Sequence, residues 1–471
     1  MEKTRNTNNK SKNNNMAKSQ KGITLVALVI TIIILIILAT VAINFAFGNN
    51  GLITQAEKAR DMAANSTVQE ETAMNSMVDE LANVMAEPPV PTPPTDGSFS
   101  EEEGVNTPNI GANMQLVVFD DSTNTWIEDT TKEAYNYKDT STQGANSSEW
   151  ANAKVTIDGI DSYFVWIPRY AYKITYYTDD TKETISNTPT TYGTIDIKFL
   201  QDTGTLAADG ETICKYADDE TLDTTTDYII HPAFTTNADL GGGWENELTG
   251  IWIGKYETAS DYIDGERILK VQPGMQSYTN GITTIGDIYT YALAYASNLE
   301  SHMLKNSEWG AVAYLTESKY GRNGTEIELN EASRLTGGGT ENAYVKNTLQ
   351  SSTGNVYGIY DLRGSCREFV ASYYSGGSTL NNGSSFTNTK TSDRYSTVYS
   401  GTSASTSYKY GDATYETRGW HSDMSVFVNS AHPFFARGGY NYGTASDTGI
   451  FYYNRVYGAP AGEGFRLALV V

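Results

Sequence analysis

The stretch 23-ITLVALVITIIILIILATVAINFAF-47 decides the architecture: 25 residues without a charge, broken only by Thr24, Thr31, Thr40 and Asn44. A helix of that length rises about 37 Å, enough to cross the roughly 30 Å hydrocarbon core of a bilayer with some tilt. The apolar part of a secretory signal is usually shorter, about 7–15 residues. At the start of an otherwise polar chain, the run reads as a membrane span covering residues 23–47.

The flanks orient it. Residues 1–22 carry six Lys and Arg against one Glu, a balance of +5, while the 471-residue chain carries −23. The remainder of the chain, beyond the leader, is therefore −28. Short basic flanks stay in the cytoplasm, so the N-terminus is expected inside and the C-terminal mass outside the cell membrane, a single-pass arrangement. An exported part this acidic excludes nucleic acid as a partner. Its Asp-, Asn- and Thr-rich stretches admit calcium, although no spaced ligand loop stands out. No other cofactor is indicated.

The junction Lys21-Gly22-Ile23-Thr24-Leu25 resembles the N-terminus of type IV pilins and type II secretion pseudopilins. In that family a prepilin peptidase cuts after the Gly and methylates the new amine, which implies Gly22 and Ile23 as the processed pair. The family's Glu at the fifth mature position is replaced here by Ala27. A carboxylate there would pair with a neighbouring subunit in lipid, so its loss argues against filament assembly.

Beyond the span, Gly48-Asn49-Asn50-Gly51 is turn chemistry. Met74, Met77, Val78, Leu81, Val84 and Met85 recur at helical spacing, predicting an amphipathic helix within 48–86. Glu87-Pro88-Pro89-Val90-Pro91-Thr92-Pro93-Pro94 begins a Pro-rich linker, read as residues 87–110. From Gly111 to Val471 the vocabulary is Tyr, Thr, Asn, Ser and Gly. Short β-type runs such as Val155–Ile157, Tyr163–Ile167, Ile251–Tyr256 and Leu467–Val471 alternate with turns. Helices are expected over Asp287–Leu304 and Ser307–Glu317, and long surface loops over Ser375–Ser405. Cys214 and Cys366 allow at most one disulfide. Four scattered His give no zinc pattern, and no nucleophile-elbow or phosphate-loop motif is present.

Five motifs stand in order through the C-terminal half: Gly254-Lys255-Tyr256-Glu257-Thr258, Asn306-Ser307-Glu308-Trp309-Gly310-Ala311, the block from Asn355 to Val370 (NVYGIYDLRGSCREFV), Arg437-Gly438-Gly439, and Gly464-Phe465-Arg466. Together they resemble the formylglycine-generating-enzyme (sulfatase-modifying-factor) family, which has a C-type-lectin-like fold. The resemblance implies an α+β chain: a transmembrane helix followed by an exported lectin-like domain at 111–471, with the match strongest over 251–471. The family's enzymes hold a copper-binding Cys pair just ahead of the final GFR motif. Residues 440–463 contain no Cys, so no catalytic residue is assigned and the protein is read as a non-enzyme.

Physically, Glu308 and Glu368 each precede a large aromatic and would be costly to bury unpaired. Arg437 and Arg466 are their natural partners. The segment without Cys offers Tyr440, Asn441, Tyr442, Asp447, Tyr452, Tyr453, Asn454 and Tyr457, the Tyr/Asn vocabulary of adaptable binding sites. The expectation is a surface-displayed, adhesin-like or minor-pilin-like protein binding a glycan or protein through these residues. An exported enzyme of the same family and a structural pilin subunit are the alternatives.

Overall fold

Trp166 and Trp252 stand opposite each other on paired antiparallel strands, their rings 5.2 Å apart. Cross-strand aromatic pairs of this kind fix register, and a seven-stranded sheet is built around them. The computed structural model describes residues 25–47 and 95–471, apart from 133, 264–265, 278–281, 443 and 460–461. The Gly22–Ile23 junction, the helix expected within 48–86 and the Pro-rich start of the linker lie outside the described residues. Two separate units result, Met1–Val90 and Pro91–Val471.

In the first unit the backbone is helical from Leu25 to Phe47 (α1), 23 residues or about 34 Å. Among the fully described positions, which in this helix are 28–40 alone, no helix is long and apolar enough to cross a membrane. The large side chains Leu28 to Leu38 are exposed. Thr31 and Thr40 turn their hydroxyls back onto the helix, donating to the carbonyls of Leu28 and Ile36, so neither leaves a bare polar group on the apolar surface.

The second unit is α+β. Its central sheet runs in the order His302–Met303, Leu467–Leu469, Gly250–Gly254, Ile160–Pro168, Asn152–Ile157, Met114–Asp120, Thr125–Glu128, every pairing antiparallel. Strand Gly250–Gly254 is buried along its whole length, which suits its central place and its continuous apolar sequence. A C-terminal sheet is organised on Glu368–Tyr374. That strand pairs in parallel with Thr397–Tyr399 and Gly464–Phe465, and antiparallel with Phe434–Gly439. Phe434–Gly439 in turn pairs with Thr448–Val456. A smaller side sheet centres on Tyr170–Tyr177, flanked by Gly193–Phe199, Ile229–Ile230 and Ile185–Ser186.

Two longer helices pack in this unit, one partly exposed and one buried. Ile285–Tyr295 (α2) opens on a Thr284/Asp287 capping box. It is shorter than the expected Asp287–Leu304, because the chain leaves the helix at Ala296 and enters strand His302–Met303. Asn306–Glu317 (α3) is buried at every residue. Within 375–405, read as loop, strand Thr397–Tyr399 joins the C-terminal sheet.

The domain begins earlier than Gly111. The indole N–H groups of Trp166 and Trp252 donate to the carbonyls of Asn106 and Asn109, and Asn106 donates to the carbonyls of Asp202 and Thr249. Buried indoles need acceptors, and residues 105–109 supply them, so this end of the expected linker is part of the fold.

Buried charges tie the layers together. Lys255 donates to Asn152, Val356 and Gly358 within 2.9 Å, fastening the block at 355–370 onto the central sheet; burial holds its pKa well below the ordinary value. Arg466 reaches Glu368 through two nitrogens, at 2.6 and 3.1 Å, and donates to the carbonyls of Gly254 and Tyr360. One side chain thereby joins the central and C-terminal sheets. Cys214 and Cys366 are both buried and free.

Candidate functional site

The Tyr-rich segment divides sharply. Tyr440 and Tyr442 stack with rings 5.1 Å apart and 13° from parallel. The Arg367 guanidinium lies over Tyr440, 4.2 Å from its ring centre. Arg367 is in turn paired with Glu463, which also accepts from the Tyr440 hydroxyl at 3.3 Å. This chain of contacts holds Tyr440 rigid and leaves Tyr442 70% exposed on top of it. Asn441, half-buried beside them, contacts the Glu331 carbonyl only at 3.4 Å. Tyr457 is also open, 54% exposed, and packs on the His432 ring.

Two of the other expected ligand-binding residues are buried, and two are half-buried. Tyr452 and Tyr453 are 2% and 1% exposed, because strand Thr448–Val456 is covered on both faces and consecutive positions face protein rather than alternating with water. Asn454 donates to the Tyr452 hydroxyl. Asp447 closes a capping box on a short turn by accepting from Thr444. Tyr452 and Tyr453 therefore belong to the core, while Asn454 and Asp447 stay half-buried at its edge.

The expected ion pairs re-sort as well. Glu368 takes Arg466. Burial still pushes its carboxyl up to about 7, against the pull of the arginine, and nearby Asp361 adds a smaller push in the same direction. Glu257 accepts from the Ser365 hydroxyl and the Cys366 amide; Asp361 accepts from Asn330 and the Gly337 amide. Glu308 finds its partners locally, in His302 at 3.0 Å, the Lys305 ammonium at 3.7 Å and the Lys305 amide at 2.8 Å. Burial works against the Glu308 carboxylate, but His302 and Lys305 outweigh it and hold its pKa below the usual value. Arg437 pairs with no carboxylate among the described residues. It donates once, to the Ala413 carbonyl, and lies between the rings of Trp309 and Tyr453 at 5.5 and 5.7 Å. Burial lowers its pKa to about 10 although Asp412 favours the charge.

Neither thiol is poised for chemistry. Burial raises Cys214 to about 12 and Cys366 well above the ordinary value, which disfavours the thiolate that a nucleophile or metal ligand needs. Among the described residues no cluster of three His, Cys, Asp or Glu side chains is arranged to hold a metal.

Residues far apart in sequence build a second concavity that the sequence did not single out. On the side sheet, Tyr172 and Tyr176 fall on one face of their strand, and the segment 408–416 lies across it. Gly310, in the middle of α3, makes this possible: a Cβ there would collide with the Gly411 carbonyl. The Gly411 amide donates to Glu416 at 2.6 Å, and the hydroxyls of Tyr172 and Tyr314 donate to the same carboxyl. Tyr408 and Tyr410 wall the outer part, 5.7 Å apart and nearly perpendicular. The resulting cleft holds about 210 Å³.

Compared with known proteins, the chain matches no family model and no curated protein.

Proposed function

We propose that the protein is a membrane-tethered, surface-exposed binding protein that takes a glycan through the platform Tyr440–Tyr442. The observation that carries this reading is the stack itself. Tyr440 is locked between Arg367 and Tyr442, and Tyr442 presents bare ring surface to solvent. A rigid aromatic with a free face gains contact area at little entropic cost, and the neighbouring Asn441 amide supplies a polar group beside it.

Three features support the wider picture. The uncharged helix Leu25–Phe47 has the length of a bilayer span and exposes apolar side chains along its described part. Three of the five motifs that resemble the formylglycine-generating-enzyme family meet in one network, Glu257, Asp361, Glu368 and Arg466, which supports a lectin-like domain of that kind. The insertion of strand Leu467–Leu469 beside Gly250–Gly254 is consistent with such a fold. The buried, high-pKa thiols and the absence of Cys from 440–463 favour binding over oxidative chemistry. Ala27 favours a tethered monomer over a filament subunit, and a prepilin-type cut after Gly22 would leave Ile23 as the first residue.

The test uses the full chain in lipid nanodiscs on a glycan array. Binding that falls about tenfold or more in Tyr442→Ala, with an unchanged melting temperature, supports the reading; wild-type binding by that variant overturns it. A ligand that proves to be protein, with the same Tyr442 dependence, would keep the platform and change only the ligand class.

A further inference from the structure

The cleft on the side sheet has a composition that the Tyr440–Tyr442 platform does not explain. Its floor is the Glu416 carboxyl, buried and lacking a cationic partner within 4.0 Å among the described residues. Three neutral donors reach it: the hydroxyls of Tyr172 and Tyr314 and the Gly411 amide. Its walls are the half-buried rings of Tyr176, Tyr408 and Tyr410. The one ammonium among the described lining residues, Lys173, is engaged over the Tyr228 ring at 4.6 Å. Ile185 and Asn187 form an exposed rim, so the cleft opens to solvent.

A buried carboxylate is costly unless a positive charge meets it. The faces of tyrosine rings attract cations and repel anions, most strongly where water is excluded. In the empty cleft burial favours the protonated acid; an organic cation would favour the carboxylate and so satisfy both the floor and the walls, which a neutral or anionic ligand would not. We propose that this cleft binds a small alkylammonium group, with Tyr176, Tyr408 and Tyr410 around the cation and Glu416 as its counter-charge. The site is independent of the glycan platform and does not rest on it. Two sources offer this chemistry, a quaternary headgroup of the choline type and a primary amine.

The experiment titrates the full chain in nanodiscs lacking choline lipids, using choline, ethanolamine and the neutral choline isostere 3,3-dimethylbutan-1-ol, followed by calorimetry. Choline or ethanolamine is expected to bind in roughly the micromolar to millimolar range, with the isostere at least about tenfold weaker; which amine binds tighter names the source. Glu416→Gln keeps the shape and removes the charge, and is expected to lower affinity about tenfold or more. Because Glu416 is buried, Tyr410→Leu at the half-buried wall is the second variant, with melting temperature as the control for folding. Equal binding of the isostere, no binding of either amine, or full affinity in a folded Glu416→Gln or Tyr410→Leu protein would each overturn the proposal.

Discussion

Tyr440–Tyr442 and Tyr452–Tyr453 lie a dozen residues apart and use the same side chain for opposite purposes. The first pair follows strand Phe434–Gly439, where the chain leaves the C-terminal sheet, so one face of the stack can be fixed by Arg367 while the other meets water. The second pair sits within strand Thr448–Val456, which is covered on both sides, and Tyr453 faces Arg437 across the strand pairing. Composition could not distinguish them. The difference lies in whether the backbone is still paired in a sheet when the tyrosine appears. A Tyr-rich segment thus presents a free ring face only where it escapes the ladder.

The comparison can be broken at several points. The largest effect is expected at the junction supporting both pairs: Arg466→Ala strands Glu368 among Glu257 and Asp361 and should cost about 3–5 kcal/mol in denaturant unfolding. Next, Tyr453→Ala should cost about 3 kcal/mol, through the cavity left and the lost contact with Arg437. A Tyr453→Ala protein as stable as wild type would place that ring outside the core.

A smaller, pH-dependent effect separates the cleft from the platform. Burial pushes the Glu416 carboxyl up to about 8. The groups facing it are Asp412, also raised by burial, the Tyr172 and Tyr314 hydroxyls, and Tyr176 and Tyr408. An acid with a raised native pKa holds a proton that the unfolded chain releases, so its contribution to stability is present at low pH and is lost as pH rises from about 4.5 to 8. Glu416→Gln should therefore flatten the fall in melting temperature across that window. An unchanged slope would mean the carboxyl is ionised throughout.

The smallest effect on stability belongs to Tyr442→Ala, within about 0.5 kcal/mol, although ligand binding should weaken by about 2 kcal/mol or more if Tyr442 is the anchor. Loss of stability comparable to Tyr453→Ala would erase the distinction between the pairs.

Much of the scaffold was legible in the sequence because its signals are local. The runs at 155–157 and 163–167 lie within strands, those at 251–256 and 467–471 are strands as far as Gly254 and Leu469, and Asn306–Glu317 is a helix one residue longer than predicted. The Glu308 partners were also local, three and six residues upstream, but the arginine reading passed over Lys305 and His302. The hidden part depends on distant residues. The start of the domain is set by indole acceptors 60 and 143 residues from their donors. The burial of Tyr452 comes from cover on both faces of its strand, which a period of two does not reveal. The cleft joins Tyr172 to Glu416 across 244 positions, and only a Tyr-Lys-Tyr alternation at 408–410 hinted at it.

The insertion of Leu467–Leu469 between His302–Met303 and Gly250–Gly254 sets an order of events. Arg466 and its Gly254 acceptor are 212 positions apart, so the middle of the central sheet stays open until the chain has been made as far as residue 469. Until then the acidic polypeptide lacks its complete central sheet, and the edge of Gly250–Gly254 stays open to other chains. Contacts this remote make closure slow. Charge repulsion between emerging chains, spread along their length, then keeps them apart until the last strand arrives.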